Sequence, residues 1–351
     1  MVMPYRPLGR TDMQVSALCL GTMTFGEQTD ESQAHTQLDL ALDHGVNFID
    51  TAEMYAVPVS AQNYGLTETF IGRWLAQRRC RNKVILATKV NGPGERFSYV
   101  RDGQPRLDRR NIEAAVEASL RRLQTDVIDL YQLHWPERTT NYFGKLGYEH
   151  RDDEDAIPLE ETLAVLGDLV QAGKLRAVGV SNETPWGVMR FMHLADTLNL
   201  PRMASIQNPY SLINRTFEIG LAEVAIREQC GLLAYGVLAS GMLTGKYLDG
   251  ARPSGARLSL WPNYFPRYLS RGSQAATAQY VQLAREHDLD PAVMALRWAM
   301  EQRFMTSVIL GATTPQQLHI NLQAIETPLA DSVRQGIEAI HREQPNAYLI
   351  P

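Results

Sequence analysis

Cysteine is scarce. The 351 residues contain three, Cys19, Cys80 and Cys230, too widely spread for a CxxC metal site or a disulfide framework. They are expected to be small buried apolar residues or surface thiols of a reducing compartment. Long apolar runs are also missing. The opening MVMPYRPLGRTDMQVSALCLG lacks the apolar core of a signal peptide. The most apolar stretch, GLLAYGVLASGMLTG, is broken by glycines and too short to span a bilayer. No sign of charge dominates: the net charge is -5, which argues against a nucleic-acid binder, since such proteins need a basic face. The basic cluster between Arg101 and Arg122 alternates with acids and reads as a solvated helix face and loop. The histidines show no HxH or HExxH spacing, so no metal site is expected. Ser181 lacks a GxSxG elbow, which argues against a serine hydrolase. A cytoplasmic protein without membrane or nucleic-acid partners is the expectation, and its oligomeric state is open.

What is present is an alternation. Eight short, nearly continuous apolar runs occupy 16–21, 46–50, 83–90, 127–134, 176–182, 204–208, 231–236 and 307–312. Continuous apolar character suits parallel strands buried on both faces. Amphipathic segments fall between them, among them 31–44, 67–79, 109–123, 159–172, 185–198 and 216–229. Two helices, 272–287 and 291–302, fit between the last two strands, the second opened by Asp290 and Pro291 as N-cap and first turn. Further helices are expected at 315–325 and 330–341, and a small hairpin within residues 2–16. Strand then helix, eight times over, is the pattern of a single-domain α/β (β/α)8 TIM barrel over 1–351. The alternative, a doubly wound sheet, would carry GxGxxG after its first strand, where this chain reads GTMTFGEQ. Three long inserts, 91–107, 135–158 and 247–271, each follow a strand and so belong on the barrel's C-terminal face, where active sites are built.

Polar residues at the strand ends point into that mouth. The second strand ends in Asp50 with Tyr55 beyond it; the third carries Lys89 and the fourth His134. The fifth to seventh give Ser181 and Asn182, Gln207, and Tyr235. A phenol has a pKa of about 10 and is a weak acid alone. An ammonium at Lys89, held charged by Asp50, is expected to lower it. His134 can orient a substrate carbonyl or relay a proton. Together these groups can protonate a carbonyl oxygen. A Schiff-base role for Lys89 is the competing barrel chemistry, disfavoured because pairing with Asp50 keeps the amine charged.

The motifs LGTMTFGE, NFIDTAEMY, ATKV, DLYQLHWP, GVSNET, SIQNPYSLINR, LASGMLTGKY and LGATTPQQLHINLQAI run in order along the chain. The sequence they carry resembles the aldo-keto reductases, in particular the bacterial Tas-type branch and the potassium-channel β-subunit relatives. The resemblance implies a (β/α)8 barrel that reduces aldehydes or ketones with NADP(H), with a tetrad at Asp50, Tyr55, Lys89 and His134. It places the nicotinamide against Ser181, Asn182, Gln207 and Tyr235, and the pyrophosphate against Gly236, Leu238, Ala239, Ser240, Gly241 and Lys246, mainly through backbone N–H groups. Arg257 falls where relatives carry an arginine near the 2′-phosphate, and Gly311, Thr313, Gln317 and Asn321 fall at the adenosine end. One departure is visible: relatives usually have Ser-Pro after the aromatic, and this chain has Gly236 and Val237. Met23, Trp135, Tyr142, Phe143 and Trp261 are candidate walls for a small carbonyl substrate. The channel relatives also imply an alternative, an NADPH-binding regulatory subunit with vestigial catalysis.

Overall fold

The computed structural model describes residues 2–143, 145, 147–152 and 154–348. Strands β1 (Tyr5–Pro7) and β2 (Gln14–Ser16) form an antiparallel hairpin. Eight parallel strands follow: β3 (Leu18–Gly21), β4 (Phe48–Asp50), β5 (Ile85–Val90), β6 (Ile128–Leu133), β7 (Leu175–Ser181), β8 (Met203–Pro209), β9 (Leu232–Tyr235) and β10 (Met305–Leu310). They pair in sequence order, and β10 closes on β3, giving the expected (β/α)8 TIM barrel. The hairpin plugs the N-terminal end, where Leu8, Met13 and Val15 pack on inward-facing Cys19, Phe48, Ala87 and Leu130. Gly9 makes this plug possible. It has φ +59°, and a Cβ there would lie 2.6 Å from the Ala204 carbonyl oxygen.

The helices are α1 (Glu31–Asp43), α2 (Leu66–Arg78), α3 (Arg109–Leu123), α4 (Leu159–Gln171), α5 (Pro185–Leu198), α6 (Leu221–Arg227), α7 (Arg257–Leu260), α8 (Arg271–Glu286), α9 (Pro291–Met300), α10 (Pro315–Leu322) and α11 (Asp331–Glu343). Their starts are chemically marked. Asp30, Asp108, Thr184, Ser270, Asp290 and Thr314 each accept a hydrogen bond from an amide two or three residues on, satisfying donors the first turn leaves free. All three cysteines are buried and free. Among the described residues no helix is long and apolar enough to cross a membrane, and no cluster of potential metal ligands occurs.

Two expectations need correction. The helix read over 216–229 is a 3-10 turn at Thr216–Glu218 followed by the seven-residue α6. Gly220, at φ +104°, separates them in a conformation no helix contains. The last strand lies two residues earlier than its apolar run, so Gly311 and Ala312 belong to the turn that opens toward α10.

Helices α2 and α3 meet at Gly72. A Cβ there would overlap the Arg122 carbonyl oxygen and lie 2.8 Å from the Leu123 carbonyl carbon. Alanine ordinarily favours a helix over glycine by about 1 kcal/mol, but overpacking against backbone costs about 1–3 kcal/mol. Gly72→Ala is therefore expected to lower the urea midpoint of unfolding. A raised midpoint would contradict this close approach.

Candidate active site

Side chains in a strand alternate between faces with period two. Two residues beyond the plug, Phe48, Ala87 and Leu130 are succeeded on the same face by Asp50, Lys89 and Gln132. The barrel axis thus changes from apolar to ionic within one step. Lys89 is completely buried, and its ammonium donates to Asp50 Oδ2 at 2.6 Å and to the Thr51 carbonyl at 2.8 Å. The other carboxylate oxygen of Asp50 accepts from Gln207 at 2.8 Å and from Gln132 at 3.2 Å. Above the pair, Lys89 Nζ lies 5.1 Å from the centre of the Tyr55 ring. The Tyr55 and His134 rings meet edge to face at 5.8 Å. The four residues expected to act together are brought together.

Their electrostatics differ in one respect from the expectation. Burial opposes the Lys89 charge, but Asp50 and Tyr55 together outweigh it, and the ammonium pKa is raised. Burial, then Lys89, push His134 well below its ordinary pKa, so the imidazole is neutral. Its Nδ1 is buried without a partner among the described residues. For Tyr55, burial raises the pKa more than Lys89 lowers it, with Asp50 adding a smaller upward push. The ammonium's pull is present, but the phenol is not made more acidic overall, because desolvating a phenolate in this pocket is the larger effect.

A relay joins this centre to the next strands. Tyr235 donates to Asn182 Oδ1 at 2.6 Å; Asn182 donates to Ser181 Oγ at 3.1 Å and to the His134 carbonyl at 2.9 Å. Ser181 in turn donates to the Gln207 carbonyl at 2.8 Å. All open into one cavity of about 1560 Å³, larger than the ~300–1000 Å³ of ordinary small-ligand pockets. Of the site residues read from sequence, all line it except Lys89, sealed beneath its floor, and Ala239, buried in the loop after β9. In that loop the Ala239 and Gly241 amides are engaged internally, on the Gly236 and Leu238 carbonyls, both at 2.8 Å. Lys246 and Arg257 face the cavity and pair with no carboxylate among the described residues. Burial, then Arg257, lower the Lys246 pKa, and burial lowers that of Arg257, so a bound anion would relieve both. Arg257 donates to Gln28 at 3.3 Å. At the far end a Cβ on Gly311 would meet nothing within 4 Å, leaving an open wall beside Thr313, Gln317 and Asn321. Two unpaired cations, glycine-lined approach and a carboxamide-sized set of amides and hydroxyls fit an extended, polyanionic dinucleotide. The expected substrate walls Met23, Trp135, Tyr142, Phe143 and Trp261 also line the cavity.

The aldo/keto reductase family model matches residues 17–342. The chain belongs to the aldo/keto reductase family. It is 52% identical over 340 residues to Protein tas of Escherichia coli (strain K12), covering 97% of this chain and 98% of that protein. It is 33% identical over 354 residues to the uncharacterized oxidoreductase YrpG of Bacillus subtilis (strain 168), covering 99% of each. Identity is 30% over 353 residues to the NADH-specific methylglyoxal reductase of E. coli (strain K12), covering 96% and 99%. This aldo/keto reductase is thus an oxidoreductase of a family that typically uses nicotinamide cofactors on small carbonyl compounds.

Several residues of this reductase escaped the sequence reading. Gln132 was signalled only as a polar residue inside an apolar strand, two before His134. Phe97, Tyr264, Phe265, Arg267 and Tyr268 line the cavity from long loops; for the last four the signal was the density of aromatics in LWPNYFPRYL. The basic cluster also needs correction at its two ends. Arg101 forks onto the fully buried Glu53 at 2.6 and 2.9 Å, and Glu53 accepts as well from Tyr64 and from the Asn91 amide. Arg122 similarly pairs with buried Glu68 at 2.6 Å. A solvated face cannot explain these; Arg101 ties the loop after β5 to the turn that carries Tyr55. Arg110, by contrast, is exposed with its partner Asp102. Removing one partner of a buried pair costs about 3–5 kcal/mol, and an exposed pair is worth about 0–1. Arg101→Met should therefore destabilise the protein strongly to urea and Arg110→Met hardly at all. Equal effects would contradict the buried assignment.

Proposed function

We propose that this protein reduces aldehydes or ketones to alcohols using NADP(H), with Tyr55 as the proton donor. The observation that carries the reading is the buried Asp50–Lys89 ion pair beneath Tyr55 on the cavity floor. A bound reduced nicotinamide supplies hydride to the carbonyl carbon. Charge then develops on the carbonyl oxygen, close to Tyr55 and His134. The neutral imidazole can donate a hydrogen bond to that oxygen and fix its direction. Tyr55 gives it a proton, and the resulting phenolate is held beside the Lys89 ammonium, which Asp50 keeps charged. A raised phenol pKa does not block this step. A developing alkoxide is a strong base that draws the phenol's proton as its charge grows, and the Lys89 ammonium stabilises the phenolate left behind. Holding the phenol protonated in the resting enzyme keeps the donor loaded.

Ser181, Asn182 and Gln207 offer hydroxyl and amide partners for the carboxamide, and Tyr235 offers a ring face. Lys246 and Arg257 favour a cofactor rich in phosphate, which supports NADP(H) over NADH. Trp135 gives the substrate end a rigid wall: its Nε1 donates to the Pro93 carbonyl at 2.9 Å, and its ring stacks on Phe97 at 5.6 Å.

The test is turnover with NADPH and with NADH against a carbonyl panel including methylglyoxal and 4-nitrobenzaldehyde. Tyr55→Phe should keep dinucleotide binding and lose about 10²–10⁴-fold in reduction, the usual worth of a general acid. Tight NADPH binding with no turnover of any carbonyl by the wild type would favour the regulatory reading instead. The pH profile is a second check. His134, shifted down, stays neutral above its folded pKa, and Tyr55, shifted up, stays protonated below its own. Reduction should therefore show no break between about pH 6.5 and 10, the ordinary His and Tyr values. An inflection near 6.5 would mean His134 titrates like a solvent-exposed group.

A further inference from the structure

The cavity contains another cation whose partner is missing. Arg267 lies in the loop between α7 and α8 and lines the cavity beside the turn that follows β9. Its guanidinium sits over the rings of Tyr268 at 4.8 Å, Phe265 at 5.7 Å and Tyr348 at 5.8 Å. Its Nε is buried with no hydrogen-bond partner, and among the described residues no carboxylate pairs with it. Aromatic faces attract a guanidinium, and the neighbouring tyrosines hold it charged against burial, but its Nε–H is left without an acceptor. A half-buried cation that faces a cavity without a counter-ion is completed by an anionic ligand.

The neighbouring backbone says which ligand. Gly236 has φ +69°, and a Cβ there would come 3.2 Å from the Tyr268 hydroxyl. The Tyr268 hydroxyl therefore crowds the position from which a side chain after the aromatic strand end would start. Two amides of the same loop, Ala239 and Gly241, are already engaged on loop carbonyls. The loop's hold on an oxyanion thus falls more heavily on side chains than a backbone cradle would require.

We infer that Arg267 is a binding residue for the diphosphate bridge of the dinucleotide, standing in, with Tyr268, for the side chain absent at Gly236. The inference rests on the dinucleotide reading above and adds this contact to it. The diphosphate is common to NADPH and NADH, whereas the 2′-phosphate belongs to NADPH alone, and a substrate carboxylate belongs to neither.

The experiment compares wild type, Arg267→Met and Arg267→Lys in the full chain. Dissociation constants for NADPH and NADH are measured by fluorescence titration over a range of KCl concentrations. The expected result is that Arg267→Met weakens both dinucleotides by roughly ten- to a hundredfold, the worth of hydrogen bonds to a charged group. The ratio between them should be unchanged, the salt dependence shallower than in wild type, and part of the loss restored in Arg267→Lys. KM for the neutral 4-nitrobenzaldehyde at saturating cofactor should stay at the wild-type value. Loss confined to NADPH, a rise in KM only for carboxylate-bearing carbonyls, or unchanged binding of both dinucleotides would each overturn the assignment. If Arg267→Met does not fold, Arg267→Lys decides: parallel weakening of both dinucleotides supports the contact, and wild-type binding of both overturns it. Failure of the wild type to bind either dinucleotide would remove the functional reading itself, and this inference with it.

Discussion

A lysine and an aspartate buried together at the centre of the barrel govern everything above them. Two charges there are tolerable only because each is almost fully hydrogen-bonded. Lys89 has Asp50 and the Thr51 carbonyl; Asp50 has Lys89, Gln207 and Gln132. Removing water from such a pair is expensive, and good geometry is what offsets it. The pair therefore demands strands β4, β5, β6 and β8 in the right register. The apolar plug below supports that register, since Leu8, Met13 and Val15 share one apolar cluster with the inward residues beneath the charged layer. The stability of the floor and the chemistry of the cavity are consequences of one arrangement.

Above the floor, loops do the positioning. The turn carrying Tyr55 is tied to the loop after β5 by Glu53 and Arg101, so an ion pair outside the cavity fixes the reach of the phenol. The cation distribution along the wall is lopsided. Acidic partners neutralise Arg101, Arg122 and Arg138 in the surrounding shell, while Lys246, Arg257 and Arg267 face the cavity without any among the described residues. That separation leaves unpaired positive charge facing the cavity, as the proposed dinucleotide requires.

The barrel was legible because its signals are local. Each apolar run reports a strand buried on two faces, and the polar residue that ends it, Asp50 or His134, reports the mouth. Helix starts were readable where capping residues stood, as at Asp290. What escaped depended on partners distant in sequence. Nothing near Arg101 announces that Glu53, in another loop, waits for it, and an arginine in an alternating segment reads as solvated. Arg267 was hidden because its environment is assembled from Tyr268 next to it and Tyr348 near the end of the chain. Gly220 broke a helix that the apolar spacing of 216–229 favoured. The direction of the Tyr55 shift was beyond the sequence too, since it depends on how completely the pocket excludes water.

The central claim is that the Lys89 ammonium sustains proton delivery by Tyr55 rather than merely holding the barrel together. The most direct measurement is the single-turnover rate of NADPH oxidation by a saturating aldehyde in Lys89→Met, using protein whose NADPH dissociation constant matches wild type. The expected result is a fall of about a hundredfold or more, the scale of lost acid catalysis, with binding intact. A single-turnover rate near that of the wild type would contradict the account.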